Sequence, residues 1–266
     1  MLRTASPAAA LLCLLAAVST AASAEAGGME VDAAIVFAVD SSSSIHAAEA
    51  DLQRHGHAEA LRSSEVAQAI AHGATGCIAI AYVEWSMPGW LRTVLPWTKI
   101  CSREDGRDAA AEILSRSDNG VERRGRRGTA ISHALEVGSL LLDRFPGSAD
   151  RKIIDISANG TNNGDRPVAR ARDRVVAKGH VINAIVLART EPGVTDDLPG
   201  YFRDSVIGGS GAFVVVPDRP ADYAGALRRK LVIEISDAGM NTLPPAMRPG
   251  FTLHGADGTA GRGMTR

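Results

Sequence analysis

The feature that most constrains this chain is Ala34-Ile35-Val36-Phe37-Ala38-Val39, an unbroken apolar run that stops at Asp40 and continues as Ser41-Ser42-Ser43-Ser44. A strand buried on both faces reads as a continuous apolar run, and open parallel sheets place their ligand sites at the carboxyl ends of such strands. Asp40, Ser42 and Ser44 then converge at a strand-to-helix turn. One carboxylate and two hydroxyls at alternate positions are hard oxygen donors, suited to Mg²⁺ or Mn²⁺ rather than to zinc or copper. The same residue types also cap helices without any ion, so the string alone leaves both readings open.

The first 24 residues have the form of an export signal: Arg3, an apolar core from Ala8 to Val18, and Ala22-Ser23-Ala24 as a small-x-small cleavage site. The core is too short to cross a bilayer. A periplasmic or secreted protein is expected, with no membrane span after signal removal. Cleavage would leave 242 of the 266 residues, which suits one large domain with a tail. The formal charge of -1 and the 4% aromatic share give no electrostatic or stacking basis for nucleic-acid binding.

Strand-like and helix-like segments alternate downstream, the pattern of an α/β sheet with helices on its faces. The expected elements are a helix over 47–71, a hairpin of Cys77–Trp85 and Leu91–Ile100 around Ser86-Met87-Pro88-Gly89, and a helix near 104–116. Thr129–Arg144 follows as a helix, Lys152–Ser157 as a strand, and Pro167–Lys178 as a helix. His180–Leu187 and Ala212–Val216 read as strands and Asp218–Leu231 as a final helix. The loop of Asp118 to Gly128, with Arg123, Arg124, Arg126 and Arg127, reads as solvated rather than as an anion site. From residue 235 to 266 scattered Pro and Gly predict a flexible tail. If the hairpin forms, Cys77 and Cys101 meet at its open end, where they either form a disulfide or remain two free thiols; the bridge is the expectation.

Three loops can now meet at one sheet edge: Asp40 to Ser44, Gly128-Thr129, and Ser157-Ala158-Asn159-Gly160. With these residues the chain resembles a von Willebrand factor type A domain, whose metal-ion-dependent adhesion site uses DxSxS, a Thr from a second loop and an Asp before Gly in a third. The resemblance spans about residues 31–234. It is nearer still to an exported bacterial branch of unassigned function, through Tyr82-Val83-Glu84-Trp85-Ser86, Pro96-Trp97-Thr98 and Arg203-Asp204-Ser205-Val206-Ile207-Gly208-Gly209. It implies a Rossmann-like fold with a mostly parallel central sheet, one antiparallel edge strand and helices on both faces. It also implies Mg²⁺ or Mn²⁺ held by Ser42, Ser44 and Thr129, with Asp40 and position 159 assisting through water. An Asp or Glu of a protein partner would complete the oxygen shell.

Asn159 departs from the Asp of that pattern and removes one negative charge beside the ion, so weaker binding is expected. Asp155 lies too far back along an extended strand to replace it. A metal-assisted hydrolase using the same loop is the alternative, but neither a Gly-x-Ser-x-Gly elbow nor a His-Glu-x-x-His helix occurs. The seven histidines read mostly as solvent-facing, His133 included. Gly208-Gly209-Ser210-Gly211 reads as a turn rather than a phosphate cradle, because a strand and not a helix follows it.

Overall fold

The structure, a computed structural model, describes residues 28–116, 128–164, 166–187, 197–236 and 251–255. The expected export signal and the four arginines between 123 and 127 lie outside these residues. Strand β1 (Met29–Asp40) occupies the middle of the sheet, and every residue from Val31 to Asp40 is buried. Its neighbours are β2 (Ile78–Trp85) and β4 (Gly147–Ala158), both parallel to it. With β3 (Leu91–Ile100), β5 (Val181–Val186), β6 (Phe213–Pro217) and β7 (Phe251–Gly255) the strand order is β3-β2-β1-β4-β5-β6-β7.

Side-chain alternation along β1 divides the core in two. Ala33, Ile35, Phe37 and Val39 pack with helices α1 (Ala47–Leu61), α2 (Ser64–Ala71), α3 (Arg103–Ser115) and α7 (Tyr223–Ile235). Val36 and Ala38 face α4 (Ile131–Asp143) and α5 (Val168–Val176) on the opposite side. Each face thereby excludes water from a separate apolar layer, which is why β1 carries no polar residue between Ala33 and Val39. Strand order reverses about β1: β2 lies on one side and β4 on the other, so the loops leaving β1 and β4 diverge to opposite faces. A crevice opens at such a switch point.

The observed boundaries correct several expectations. The helix expected over 47–71 is two helices, because the Ser63 hydroxyl accepts from Val66 N at 3.2 Å and caps a new start. A four-residue helix α6 (Leu198–Tyr201) and a single π turn (Phe202–Val206) precede β6; too short to show a period, they left no sequence signal. The sheet has two antiparallel edge strands rather than one. β3 pairs with β2 as expected, whereas β7 comes from the stretch expected to be a flexible tail and pairs from Phe213↔Gly255 to Pro217↔Phe251. Pairing there covers the exposed amides and carbonyls of β6, which would otherwise form an open edge.

Cys77 and Cys101 form the expected disulfide, with Cα atoms 4.2 Å apart. Register explains it: Ile78 pairs with Ile100, so the flanking cysteines meet just beyond the last rung. Pro96 is tolerated because β3 is an edge strand with a local irregularity opposite Tyr82. The glycines of 208–211 form the expected turn into β6: Gly208 bridges Ile182, and Gly209 has φ +98°.

Candidate metal centre

The carboxyl ends of β1 and β4 bring Asp40 and Asn159 to the same edge, and the loop before α4 adds Thr129. The first loop is fixed from both sides. Ser41 N and Ser41 Oγ donate to Trp85 O at 2.8 and 3.2 Å, tying the loop to β2. Gln53 of α1, fully buried, donates through Nε2 to Asp40 O at 3.0 Å and accepts from Ser157 Oγ through Oε1 at 2.5 Å. Ser157 in turn hydrogen-bonds the Tyr223 hydroxyl at 2.8 Å. Rotation of the Asp40 peptide would therefore break a chain of buried hydrogen bonds reaching α7.

The second loop is held by two asparagines. Asn163 Oδ1 accepts from Thr129 N at 2.6 Å while Asn163 N donates to Thr129 O at 3.0 Å. Asn162 Oδ1 accepts from Ser132 N at 3.1 Å in the first turn of α4. Gly128 has φ +101°, and a Cβ there would meet Asn163 Oδ1 at 3.3 Å, so the turn feeding Thr129 excludes a side chain. Asn162, Asn163 and Gln53 are positioning residues that the sequence reading passed over. The Asn-rich run 159–164 signalled a turn but not its target.

The oxygens converge. Ser42 Oγ lies 2.9 Å from Ser44 Oγ and 3.4 Å from Thr129 Oγ1, and Ser44 Oγ lies 3.1 Å from Asn159 Oδ1. Adjacent ligands on an octahedral Mg²⁺ with metal–oxygen distances of 2.0–2.1 Å stand about 2.9 Å apart, so these spacings suit a small hard cation. Asp40, Ser42, Thr129 and Asn159 are buried, while Ser43 is exposed and Ser44 half-buried.

Asp40 is the buried carboxylate of the cluster. Its Oδ1 accepts from Ser42 N at 2.7 Å, but Oδ2 is buried without a hydrogen-bond partner. Burial pushes its pKa up to about 7, against the smaller downward pull of the Ser42 N–H, the Ser42 hydroxyl and the Asn159 N–H. A carboxylate desolvated without a counter-charge is costly, and a cation removes that cost. The donor set thus fits a divalent ion. It is built from hydroxyls, and among the described residues no group of three or more His, Cys, Asp or Glu side chains gathers as a metal site.

Asp155 does not face this edge. It is fully buried on the α7 side, 2.6 Å from Lys230 Nζ, which also contacts Glu234 at 2.5 Å. Two histidines depart from the expected solvent exposure. His57 is buried between the rings of Phe37 and Tyr82, at centroid distances of 4.8 and 5.1 Å, and His180 is buried beside Ser139. His133 is half-buried.

The solved structures with the same architecture are adhesive proteins in part. Proximal thread matrix protein 1 from the mussel byssus matches with a TM-score of 0.55 and 18% identity over 79% of this chain and 48% of that one. A form of that protein with a zinc-occupied MIDAS motif matches at 0.51 and 20% identity, over 79% of this chain and 48% of that one. The pilus adhesin SpaC from Lactobacillus rhamnosus GG matches at 0.55 and 13% identity, over 79% of this chain and 31% of that one. The chain spans about half the length of the mussel protein and about a third of SpaC. At these identities the likeness carries the fold, which is von Willebrand A-like. No curated protein matches the sequence. The model of the family described as protein of unknown function (DUF1194) matches residues 30–239, most of the chain, and the chain belongs to that family.

Proposed function

We propose that this protein is an exported interaction module in which Asp40, Ser42, Ser44, Thr129 and Asn159 hold Mg²⁺ or Mn²⁺ and present an open coordination position to a carboxylate of a partner protein. Residues 1–24 serve as the leader and 31–234 as the interaction domain. The observation that carries the reading is the pairing of three converging hydroxyls with a buried, unpartnered Asp40 Oδ2 at the carboxyl end of the central strand. A pilus adhesin of the same fold and a mussel byssus matrix protein with a zinc-occupied MIDAS motif support it.

The ion supplies an electrophilic position that bridges two proteins through oxygen. Ser42, Ser44 and Thr129 would hold it directly, while Asp40 offsets its charge and hydrogen-bonds its hydration. Three hydroxyls, one carboxylate and one amide oxygen form a hard ligand set, which suits binding of an ion that bridges two proteins. Among the described residues no helix is long and apolar enough to cross a membrane.

Calorimetric titration of metal-stripped protein with Mg²⁺, Mn²⁺ and Ca²⁺, beside Asp40→Ala, tests the reading. Saturable binding by the native protein that disappears in the variant is the expected result. Equal heats in both would remove this loop from the function.

A further inference from the structure

Asn159 leaves the candidate centre one negative charge short, and a carboxylate from a different element stands beside it. Glu49, half-buried in the first turn of α1, accepts from His46 N at 2.9 Å and from Asn159 Nδ2 at 3.3 Å through the same oxygen, Oε2. Asn159 Nδ2 also donates to Ser44 O at 3.2 Å. Two acceptors on the amide nitrogen fix the orientation of the group. The reverse orientation would aim the amide oxygen at a carboxylate and a carbonyl. Asn159 Oδ1 is thereby held toward the hydroxyls, 3.1 Å from Ser44 Oγ.

We infer that Glu49 is the second carboxylate of the centre: it restores the charge missing at position 159 and, through the Asn159 amide, aims a neutral oxygen at the cation. This assignment rests on the ion-binding reading above. The buried Asp40 Oδ2, which has no hydrogen-bond partner, is the independent sign that a cation completes the same pocket. Position 159 and position 49 then form a matched pair. An acid at both would set two carboxylates against each other and lose both amide N–H bonds, so Asn159→Asp alone gains little. An amide at both would leave Asp40 as the single charge.

The chemistry explains why a chain lacking the usual third-loop acid retains the rest of the cradle. A charge placed a few ångströms further from the ion through a partly hydrated path still contributes about a tenfold change in affinity. Glu49 reaches the position because the capping box of α1 turns its side chain back over the first loop.

A double-mutant cycle in Mn²⁺ affinity, measured by calorimetry on the full mature chain, tests the assignment with Glu49→Gln, Asn159→Asp and both together. Gln keeps an acceptor for His46 N and removes only the charge, and unchanged melting in chelator checks that the fold survives. Glu49→Gln is expected to weaken Mn²⁺ binding about tenfold, and the double variant to return within about threefold of native. Native affinity in Glu49→Gln would overturn the assignment while leaving the centre itself in place. A loss that the double variant does not regain would overturn the charge role. Absence of Mn²⁺ binding by the native chain would overturn both this assignment and the ion-binding reading.

Discussion

Ser44 Oγ donates to Asn159 Oδ1 at 3.1 Å across 115 positions of sequence. That bond joins the loop leaving β1 to the loop leaving β4, the two parallel strands at which the strand order reverses. Beside it, Ser42 Oγ stands 2.9 Å from Ser44 Oγ and 3.4 Å from Thr129 Oγ1. Within this cluster the costly element for stability is the buried Asp40 Oδ2, which has no hydrogen-bond partner.

Asp40→Asn should stabilise the ion-free protein and abolish its response to ions. Burial raises the native pKa of Asp40 to about 7 from 3.8, so the charged form opposes folding above pH ~7 and the penalty vanishes below pH ~4. In chelator at pH 8 the variant is expected to gain on the order of 2–4 kcal/mol, with little gain at pH 4. Mn²⁺ should raise the melting temperature of the native protein and leave the variant unmoved. Melting curves at both pH values with and without Mn²⁺ check this, and a variant less stable at pH 8 would contradict it.

His57 should make the fold acid-sensitive. Burial lowers its pKa from 6.5 to about 4, against the opposing pull of the Gln53 carbonyl at 2.7 Å and with a smaller lowering from Lys230. Between those values the unfolded chain binds the proton and the native chain does not. The contribution of neutral His57 is present above pH ~6.5 and is lost as pH falls toward ~4. Relative to His57→Leu, the native protein should lose about 2–3 kcal/mol between pH 7.5 and pH 4.5 in urea denaturation. A difference that stays constant with pH would show that His57 does not titrate in this range.

Lys230→Met should be among the most damaging single changes. Lys230 is fully buried between Asp155 and Glu234, and Glu234 Oε1 also accepts from Asn183 Nδ2 at 2.7 Å. Burial, and then the charge of Glu234, push the Asp155 carboxyl well above its usual range, so removal of the cation leaves two acids with no counter-charge. About 3–5 kcal/mol of stability should be lost, and adding Asp155→Asn with Glu234→Gln should recover much of it. Urea midpoints for the single and triple variants decide the matter. A triple variant no more stable than the single would mean that packing, not charge, sets the loss.

The central strand was legible because burial on both faces of the sheet leaves an uninterrupted apolar run from Ala34 to Val39, and the other strands and most helices from their shorter apolar patterns. The DxSxS string stood out because a carboxylate and hydroxyls follow the apolar run directly, and Thr129 only through the resemblance. Glu49, Gln53, Asn162 and Asn163 did not, since each reads as an ordinary helix or turn residue until its distant partner is known. Strand β7 was hidden for another reason. Its five residues alternate too briefly among prolines and glycines to register, and only the open edge of β6 gives them a place.

The sequence by itself determined the α/β class, the switch from apolar strand to hydroxyl loop at Asp40, and the residue types available to meet a hard cation. Those follow from local periodicity and from the chemistry of side chains. Tertiary structure alone decided that Asp155 turns inward to Lys230, that His57 is buried, and that Glu49 stands beside Asn159. Such pairings join residues far apart in the chain, and sheet order and helix placement set them through burial, which no local pattern records.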